Sequence, residues 1–141
     1  MKPREQVKRR ILGEWLRKAD ADMGLAEHLL SEKAPFYDAI TFNCQQAAEK
    51  LIKAFLVWAQ VDFPKTHDLT ELLALVAPIN EHLAAQLREA TALTPYGVEL
   101  RYLGDRPDAS PAEAREAVRL AREVRDTVLP LLSRPTPEGG Q

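Results

Sequence analysis

The stretch that decides the fold is YDAITFNCQQAAEKLIKAFLVWA, residues 37–59. On a helical wheel, its polar residues fall within an arc of about 120°, and apolar residues fill the opposite side. We call this arc the polar stripe; it comprises Asn43, Gln46, Glu49, Lys50 and Lys53. The apolar arc includes Ile40, Ala47, Leu51, Phe55 and Trp58. This division predicts one long helix with most of its surface buried, at the centre of the domain.

Outside this stretch, prolines and capping residues divide the chain into further helices, because proline lacks the amide N–H and clashes inside a helix. Apolar residues at spacings of three and four mark each segment. The clearest helix start is Ser110-Pro111 with Glu113, which combines an N-cap hydroxyl, a proline at the first position and a carboxylate at the third. The predicted helices span residues 5–31, 37–59, 68–78, 80–93 and 110–131, with an irregular stretch over 94–109.

No segment alternates with the period of two that is typical of a strand. A helix of 25 residues is about 38 Å long, and a 141-residue globule has a radius of gyration of about 14 Å, so the long helices must pack side by side. The sequence therefore predicts an all-α domain, an antiparallel up-and-down bundle of four to five helices over residues 1–133. Residues 134–141, which contain two prolines and two glycines, are predicted to be a flexible tail.

The overall charge excludes a protein that attracts nucleic acid or lipid by its global field. Nineteen basic and 21 acidic residues leave a formal net charge of −2, so any anion site must be local. Cys44 is the only cysteine, which excludes an internal disulfide and is typical of a reducing compartment. There is no run of about 18 apolar residues to span a bilayer and no signal-peptide core. We therefore predict a cytoplasmic protein that does not enter a membrane.

Conventional catalytic motifs are missing from the sequence. It has no glycine-rich phosphate loop, no His/Asp/Glu set at metal-ligand spacing and no serine with a matched base. We therefore predict neither a metal ion nor a cofactor. By itself, the polar stripe is open to two interpretations, the solvated face of a core helix with an ion pair between Glu49 and Lys53, or part of a functional site.

The order of residues around the stripe resembles the HEPN domain family. The two most specific pieces are QQAAEK at 45–50 and KTHDL at 65–69. Tyr37-Asp38, Lys53-Ala54, Arg101-Tyr102 and, in the first helix, Trp15, Lys18-Ala19 and Asp22 fit the same pattern, so the resemblance spans roughly 15–129. It implies an all-α bundle of four or five helices that is commonly dimeric. Such domains are often encoded beside, or fused to, a minimal nucleotidyltransferase, as toxin and antitoxin or as a nucleotide-binding accessory.

Many relatives are also metal-independent endoribonucleases, whose site has an arginine followed by four to six residues and then a histidine. None of His28, His67 and His82 has an arginine at that distance before it. Asn43 stands where relatives often have a histidine, and Leu103 follows Arg101-Tyr102 where proline is common. Ribonuclease activity is therefore not the first expectation, and nucleotide binding is what the resemblance still suggests.

The candidate ligand-binding residues come from three parts of the chain. They are Gln46, Glu49, Lys50, Lys53, Lys65, His67, Arg101 and Tyr102. Lys65 and His67 could hold a phosphate at the start of the third helix, or the segment could be structural, with Asp68 as the N-cap. Arg101 could clamp a phosphate while Tyr102 stacks on a base, or the arginine could pair with Glu99. The sharpest hypothesis is that Lys50, Lys53 and Arg101 converge on one anionic ligand, a nucleotide or an RNA end.

Three functions follow from these patterns. The first is a nucleotide- or RNA-binding module, a homodimer or higher homo-oligomer that works with a nucleotidyltransferase partner in a system of the toxin-antitoxin type. The second is a metal-independent endoribonuclease with a non-standard site built from Arg101, His67 and Glu49. The third is a purely structural oligomerisation module whose polar stripe contacts another subunit.

Overall fold

The computed structural model describes residues 3–97 and 108–135. Its helices are α1 (Pro3–Ser31), α2 (Tyr37–Trp58), α3 (Leu69–Val76), α4 (Glu81–Gln86), a 3-10 helix (Arg88–Gly97) and α5 (Pro111–Leu132). The described residues contain no strand. The predicted all-α helical bundle is confirmed.

The long helices α1, α2 and α5 form the body of the bundle, with α2 in contact with both others. The pairs Asp22–Lys50 and Trp15–Lys53 show that α1 runs antiparallel to α2. Asp38, at the start of α2, accepts a hydrogen bond from the Ala109 amide just before α5 (2.8 Å), and Trp58, at the end of α2, donates to the Arg134 carbonyl just after α5 (2.7 Å). Helix α5 therefore runs parallel to α2, because the two helices begin at the same end of the bundle and finish at the other end.

Helix α2 carries the centre of the core, as its apolar arc predicts. Ile40, Ile52, Phe55 and Leu56 are each at most 1% exposed. The Cys44 thiol is also fully buried, and burial raises its pKa to about 12. This thiol is a packing group rather than a reactive one.

The prediction for the fourth helix was wrong. Helix α4 ends at Gln86 instead of continuing to Leu93. The first residues of the predicted irregular stretch, 94–97, belong to the 3-10 helix. The buried residues Leu87, Ala90 and Leu93 recur every three positions, which is the period of a 3-10 helix. The 3-10 helix, with three residues per turn, keeps these side chains packed on the core. The sequence spacing alone does not distinguish it from an α-helix.

Helix starts agree with the capping signals. Ser110 accepts from the Glu113 amide at 3.0 Å and Glu113 accepts from the Ser110 amide at 2.9 Å, a reciprocal capping box. Asp68 caps α3 by accepting from the Thr70 amide at 2.9 Å. Of the predicted flexible tail, residues 136–141 lie outside the described part of the chain, so that prediction stays untested.

Within the described residues, no helix is both long enough and apolar enough to cross a membrane.

Candidate functional site

Glu49 is a buried carboxylate on α2, with its side chain only 4% exposed. Its Oε1 accepts from Gln45 Nε2 at 3.1 Å and lies 2.8 Å from His67 Nδ1, while its Oε2 accepts from Lys53 Nζ at 3.0 Å. Hydrogen bonds and an adjacent cation offset the cost of placing a carboxylate in the core. Both oxygens of Glu49 are therefore held in place.

Gln45 connects α2 to the segment before α3. Its amide nitrogen donates to Glu49 and also to the His67 carbonyl at 3.1 Å, and its amide oxygen accepts from Gln46 Nε2 at 2.7 Å. The side chain is fully buried, and these bonds use both amide hydrogens. We call Gln45, Gln46, Glu49, Lys53 and His67 the polar network.

His67 is positioned through its backbone as well as through its ring. The next residue, Asp68, caps α3, and the Leu69 amide donates to the Thr94 hydroxyl at 3.1 Å. Asp68 also donates its own amide to the Thr66 hydroxyl at 3.1 Å, and that hydroxyl donates to a carboxylate on α3. These bonds present the imidazole at the surface, with 60% of the side chain exposed, while Nδ1 faces Glu49.

Lys53 is enclosed between α1 and the segment after α2. Its Nζ lies 5.6 Å from the ring centroid of Trp15 and 5.8 Å from that of Phe63. The two rings meet edge to face, with their centroids 6.2 Å apart. An ammonium against aromatic rings and a carboxylate is well stabilised without any ligand, and the Lys53 side chain is 8% exposed.

The other lysine of the polar stripe, Lys50, pairs with Asp22 of α1. Both side chains are 19% exposed, so this ion pair lies at the edge of the contact between α1 and α2. Asp22 and Trp15 thus connect α1 to α2. The polar network connects α2 to the segment before α3.

The interpretation of the polar stripe as a solvated face is wrong for Glu49 and Lys53, which are 3% and 6% exposed. The ion pair between them is present, as predicted, but in the core. Asn43, Gln46 and Lys50 are half-buried. The reason is that α1 and residues 61–67 cover the stripe, and a wheel of α2 alone cannot represent that cover.

A comparison with known protein families identifies the domain that contains these contacts. The HEPN domain profile matches residues 12–131 of the 141-residue chain. The chain belongs to the HEPN family. No curated protein and no solved structure matches the chain significantly. The resemblance carried by QQAAEK and KTHDL is therefore confirmed, and in this HEPN domain the two motifs contact each other through Gln45, Glu49 and His67.

The structure brings some of the predicted site residues together. Gln46, Glu49, Lys53 and His67 belong to the polar network. Lys65 is exposed two residues before His67. Arg101 and Tyr102 lie outside the described residues, so their part in the site stays a prediction.

The hypothesis that lysines of α2 bind an anion gains no support from the described contacts. Lys50 and Lys53 each have a carboxylate partner, and Asp68 occupies the Thr70 amide at the start of α3. Among the residues that the structure describes, Lys65 and, when protonated, His67 are exposed cationic groups beside the polar network. Any anion bound here would contact this outer edge.

Sequence reasoning missed Gln45, Asp22 and Gly97 as parts of the site. On a helical wheel Gln45 lies beside the apolar residues Ala48 and Ile52, and this was the available signal, because a buried amide requires hydrogen-bond partners. Asp22 pairs with Lys50 from 28 residues away, a separation that carries no periodic signal. Gly97 approaches Gln45 so closely that a Cβ there would lie 2.3 Å from Gln45 Cδ.

In the described residues of this HEPN domain, no group of three or more His, Cys, Asp or Glu side chains is arranged to hold a metal ion.

Proposed function

We propose that this HEPN domain is a nucleotide- or RNA-binding module whose ligand contacts the outer edge of the polar network, at His67, Lys65 and Gln46. The observation that carries the proposal is the contact between the buried Glu49 and the exposed ring of His67. An exposed side chain held in one orientation loses little conformational entropy when a ligand binds. The family's general association with nucleotides and RNA supports the same ligand class.

The chemistry of the edge suits a phosphate next to a base. A carboxylate can only accept, so we assign the hydrogen between Glu49 and His67 to Nδ1. The other ring nitrogen, Nε2, then accepts a hydrogen bond when the ring is neutral and donates one when it is protonated. Lys65 adds a flexible cation, and Gln46 adds an amide beside Gln45. Arg101 and Tyr102 are proposed to complete the site with a guanidinium and an aromatic ring.

The direct test is isothermal titration of the chain with ATP and, separately, with a short single-stranded RNA. We expect wild-type protein to bind at least one of the two, and His67→Ala to weaken binding at least tenfold, or about 1.4 kcal/mol. The matched control is His82→Ala, which removes an exposed histidine from α4 and should leave the Kd unchanged.

Circular dichroism melting of each variant separates lost binding from lost folding. Absence of heat with both ligands on the wild-type protein would remove the proposal. Equal weakening by His67→Ala and His82→Ala would show that the ligand does not bind at His67. The proposal that the protein binds a nucleotide or RNA would still stand.

The proposed biological setting is a homodimer or higher homo-oligomer that acts with a minimal nucleotidyltransferase chain in a system of the toxin-antitoxin type. The basis is that HEPN domains are commonly dimeric and are often encoded beside a minimal nucleotidyltransferase. A small nucleotidyltransferase in the neighbouring reading frame would favour this two-component arrangement.

A second candidate, metal-independent RNA cleavage, is favoured by the same contact of 2.8 Å between His67 Nδ1 and Glu49. A neutral imidazole oriented by a carboxylate is the arrangement of a general base. Nε2 would take the proton of a ribose 2′-hydroxyl, the 2′-oxygen would attack phosphorus, and the 5′-oxygen would leave with a proton supplied by Lys65. The Arg101 guanidinium would stabilise the negative charge that develops on the phosphate oxygens. The products would be a 2′,3′-cyclic phosphate and a 5′-hydroxyl.

For this second candidate, we expect cleavage of a labelled RNA in EDTA that falls at least tenfold in His67→Gln, because a general base typically contributes a factor of about 10²–10⁴. Cleavage should also fall at least tenfold in Arg101→Ala, because a cation that stabilises the transition-state charge is then lost. The control His82→Gln should cleave at the wild-type rate. Cleavage that persists in His67→Gln would exclude His67 as the base, and a wild-type protein without activity would exclude the candidate altogether.

A further inference from the structure

The last turn of the 3-10 helix contacts the start of α3 through the Thr94 side chain. The Thr94 hydroxyl oxygen accepts a hydrogen bond from the Leu69 amide at 3.1 Å. Leu69 is the first residue of α3, so its amide is one of those that have no partner inside the helix. The N-cap Asp68 accepts from the Thr70 amide instead. Thr94 therefore supplies, from 25 residues away, the acceptor that the Leu69 amide needs.

This bond lies two residues beyond His67, and a second bond holds His67 itself. The His67 carbonyl accepts from Gln45 Nε2 at 3.1 Å. One hydrogen bond would leave the backbone free to rotate about that contact, whereas two bonds to different elements also fix its direction. The two elements are α2, which carries Gln45, and the 3-10 helix, which carries Thr94. The backbone around His67 is therefore fixed in both position and direction.

The same turn of the 3-10 helix supports both of these bonds. Thr94 and Gly97 are three residues apart, which places them on one face of a helix with three residues per turn. Gly97 packs directly against Gln45, since a Cβ added at Gly97 would lie 2.3 Å from Gln45 Cδ. Gln45 is fully buried, so it has no open space into which to move away. The turn therefore reaches the His67 backbone by two routes, through Leu69 and through Gln45.

The imidazole ring depends on this support because its own contacts are few. The His67 side chain is 60% exposed, and the contact that orients it joins Nδ1 to Glu49 Oε1 at 2.8 Å. A hydrogen bond is lost beyond about 3.5 Å, so a backbone shift of about 0.7 Å along that direction is enough to break it. Rotation of the ring could restore the contact, but Nε2 would then point in another direction. The direction of Nε2 therefore depends on how the backbone is held.

We propose that Thr94 is a positioning residue for His67. It does not touch the ligand, but its bond to the Leu69 amide sets the direction of the Nε2 atom that faces the ligand. The expected effect of Thr94 on ligand affinity rests on the proposed function, whereas its effect on the ring can be measured without any ligand.

The first experiment measures the His67 ring by NMR. The variant Thr94→Val keeps the shape of the side chain and removes the acceptor for the Leu69 amide. We expect the chemical shifts of the two ring nitrogens to move toward those of a histidine without a fixed tautomer, because the bond between Nδ1–H and Glu49 weakens. In wild-type protein, slow hydrogen exchange of the Leu69 amide measures the bond to Thr94 directly and needs no variant.

The matched control is Thr91→Val, one turn earlier in the same helix. The Thr91 hydroxyl donates to the Arg88 carbonyl at 2.8 Å, so this variant also loses a threonine hydrogen bond, but one that stays within the 3-10 helix. It should leave the His67 ring signals in place. Thr94→Ser keeps a hydroxyl at the same position and should restore the wild-type signals.

The second experiment repeats the titration with ATP and with short single-stranded RNA on the same three variants. For the ligand that wild-type protein binds, Thr94→Val should raise the Kd about tenfold, because the ligand itself must then order the ring. Thr91→Val should leave the Kd unchanged, and Thr94→Ser should restore it. Circular dichroism melting shows that each variant is folded at the temperature of the titration.

Ring signals that stay unchanged in Thr94→Val, or that move equally in Thr91→Val, would overturn the inference. A loss of affinity that Thr94→Ser does not restore would also overturn it, as would a Leu69 amide that exchanges as fast as an unbonded one. If wild-type protein binds neither ligand, the proposed function fails, and the ring signals alone decide whether Thr94 positions His67.

Discussion

Glu49→Gln is expected to lower the free energy of unfolding by about 4 kcal/mol, because removal of one partner from a buried ion pair leaves the other charge unpaired. The Lys53 ammonium, enclosed by Trp15 and Phe63, would lose its carboxylate partner. A glutamine keeps the volume of Glu49, so the effect would report charge and hydrogen bonding rather than a cavity. Urea unfolding followed by circular dichroism measures it.

The matched control is Glu116→Gln. Glu116 forms an ion pair with Arg119 at an exposed site on α5, and hydrogen bonding to that arginine lowers the pKa of Glu116. Exposed ion pairs contribute little because solvent screens the charges, so this variant should unfold almost as the wild-type protein does. Similar midpoints for Glu49→Gln and Glu116→Gln would show that the buried pair does not stabilise the core.

A double variant identifies the cause of the loss. Lys53→Met removes the ammonium and keeps an unbranched apolar side chain, so Glu49→Gln should cost much less in the Lys53→Met background than alone. A coupling energy of about 1–3 kcal/mol is expected for two groups in direct contact. Strict additivity would mean that the two side chains act independently.

The parts of the fold that could be predicted are those set by neighbours in sequence. The apolar arc of residues 37–59 predicts a central helix, and Ser110-Pro111 with Glu113 predicts the start of α5, because helix geometry brings residues three and four apart together. The 3-10 helix was missed because the two helix periods, 3.0 and 3.6 residues per turn, place apolar side chains only about two residues apart over ten positions. The spacing of a few apolar residues did not distinguish them. There, burial of Leu87, Ala90 and Leu93 decides the winding.

The candidate site could be predicted only in part, since its contacts cross long sequence separations. The wheel placed Glu49 and Lys53 on one stripe and indicated their ion pair. It could not indicate that Trp15 and Phe63 close over Lys53, or that Gln45 binds the backbone of His67, 22 residues away. The family resemblance brought the QQAAEK and KTHDL segments into one hypothesis. It did not give the direction of each side chain. In the structure, Glu49 orients His67, while Lys53 faces inward.

Gly97 is where the 3-10 helix touches the polar network, and Gly97→Ala is expected to destabilise the domain by about 3 kcal/mol. An added Cβ would lie 2.3 Å from Cδ and 2.4 Å from Oε1 of Gln45, which is closer than real contacts allow. Gln45 has a flexible side chain, but it is fully buried and its amide bonds Glu49, Gln46 and the His67 carbonyl. Movement of the amide would break those bonds and leave buried polar groups unpaired.

The controls for Gly97→Ala come from the same chain. Gly24 lies inside α1 with nothing within 4 Å of its added Cβ, so Gly24→Ala should stabilise the domain by about 0.5–1 kcal/mol through helix propensity. In a Gln45→Ala background the obstructing atoms are gone, and Gly97→Ala should then cost little. Urea unfolding measures all three effects, and the NMR shift of the His67 ring should move in Gly97→Ala but not in Gly24→Ala. If Gly97→Ala were as stable as Gly24→Ala, Gln45 would have room to move, and the orientation of His67 would not depend on the approach of the 3-10 helix.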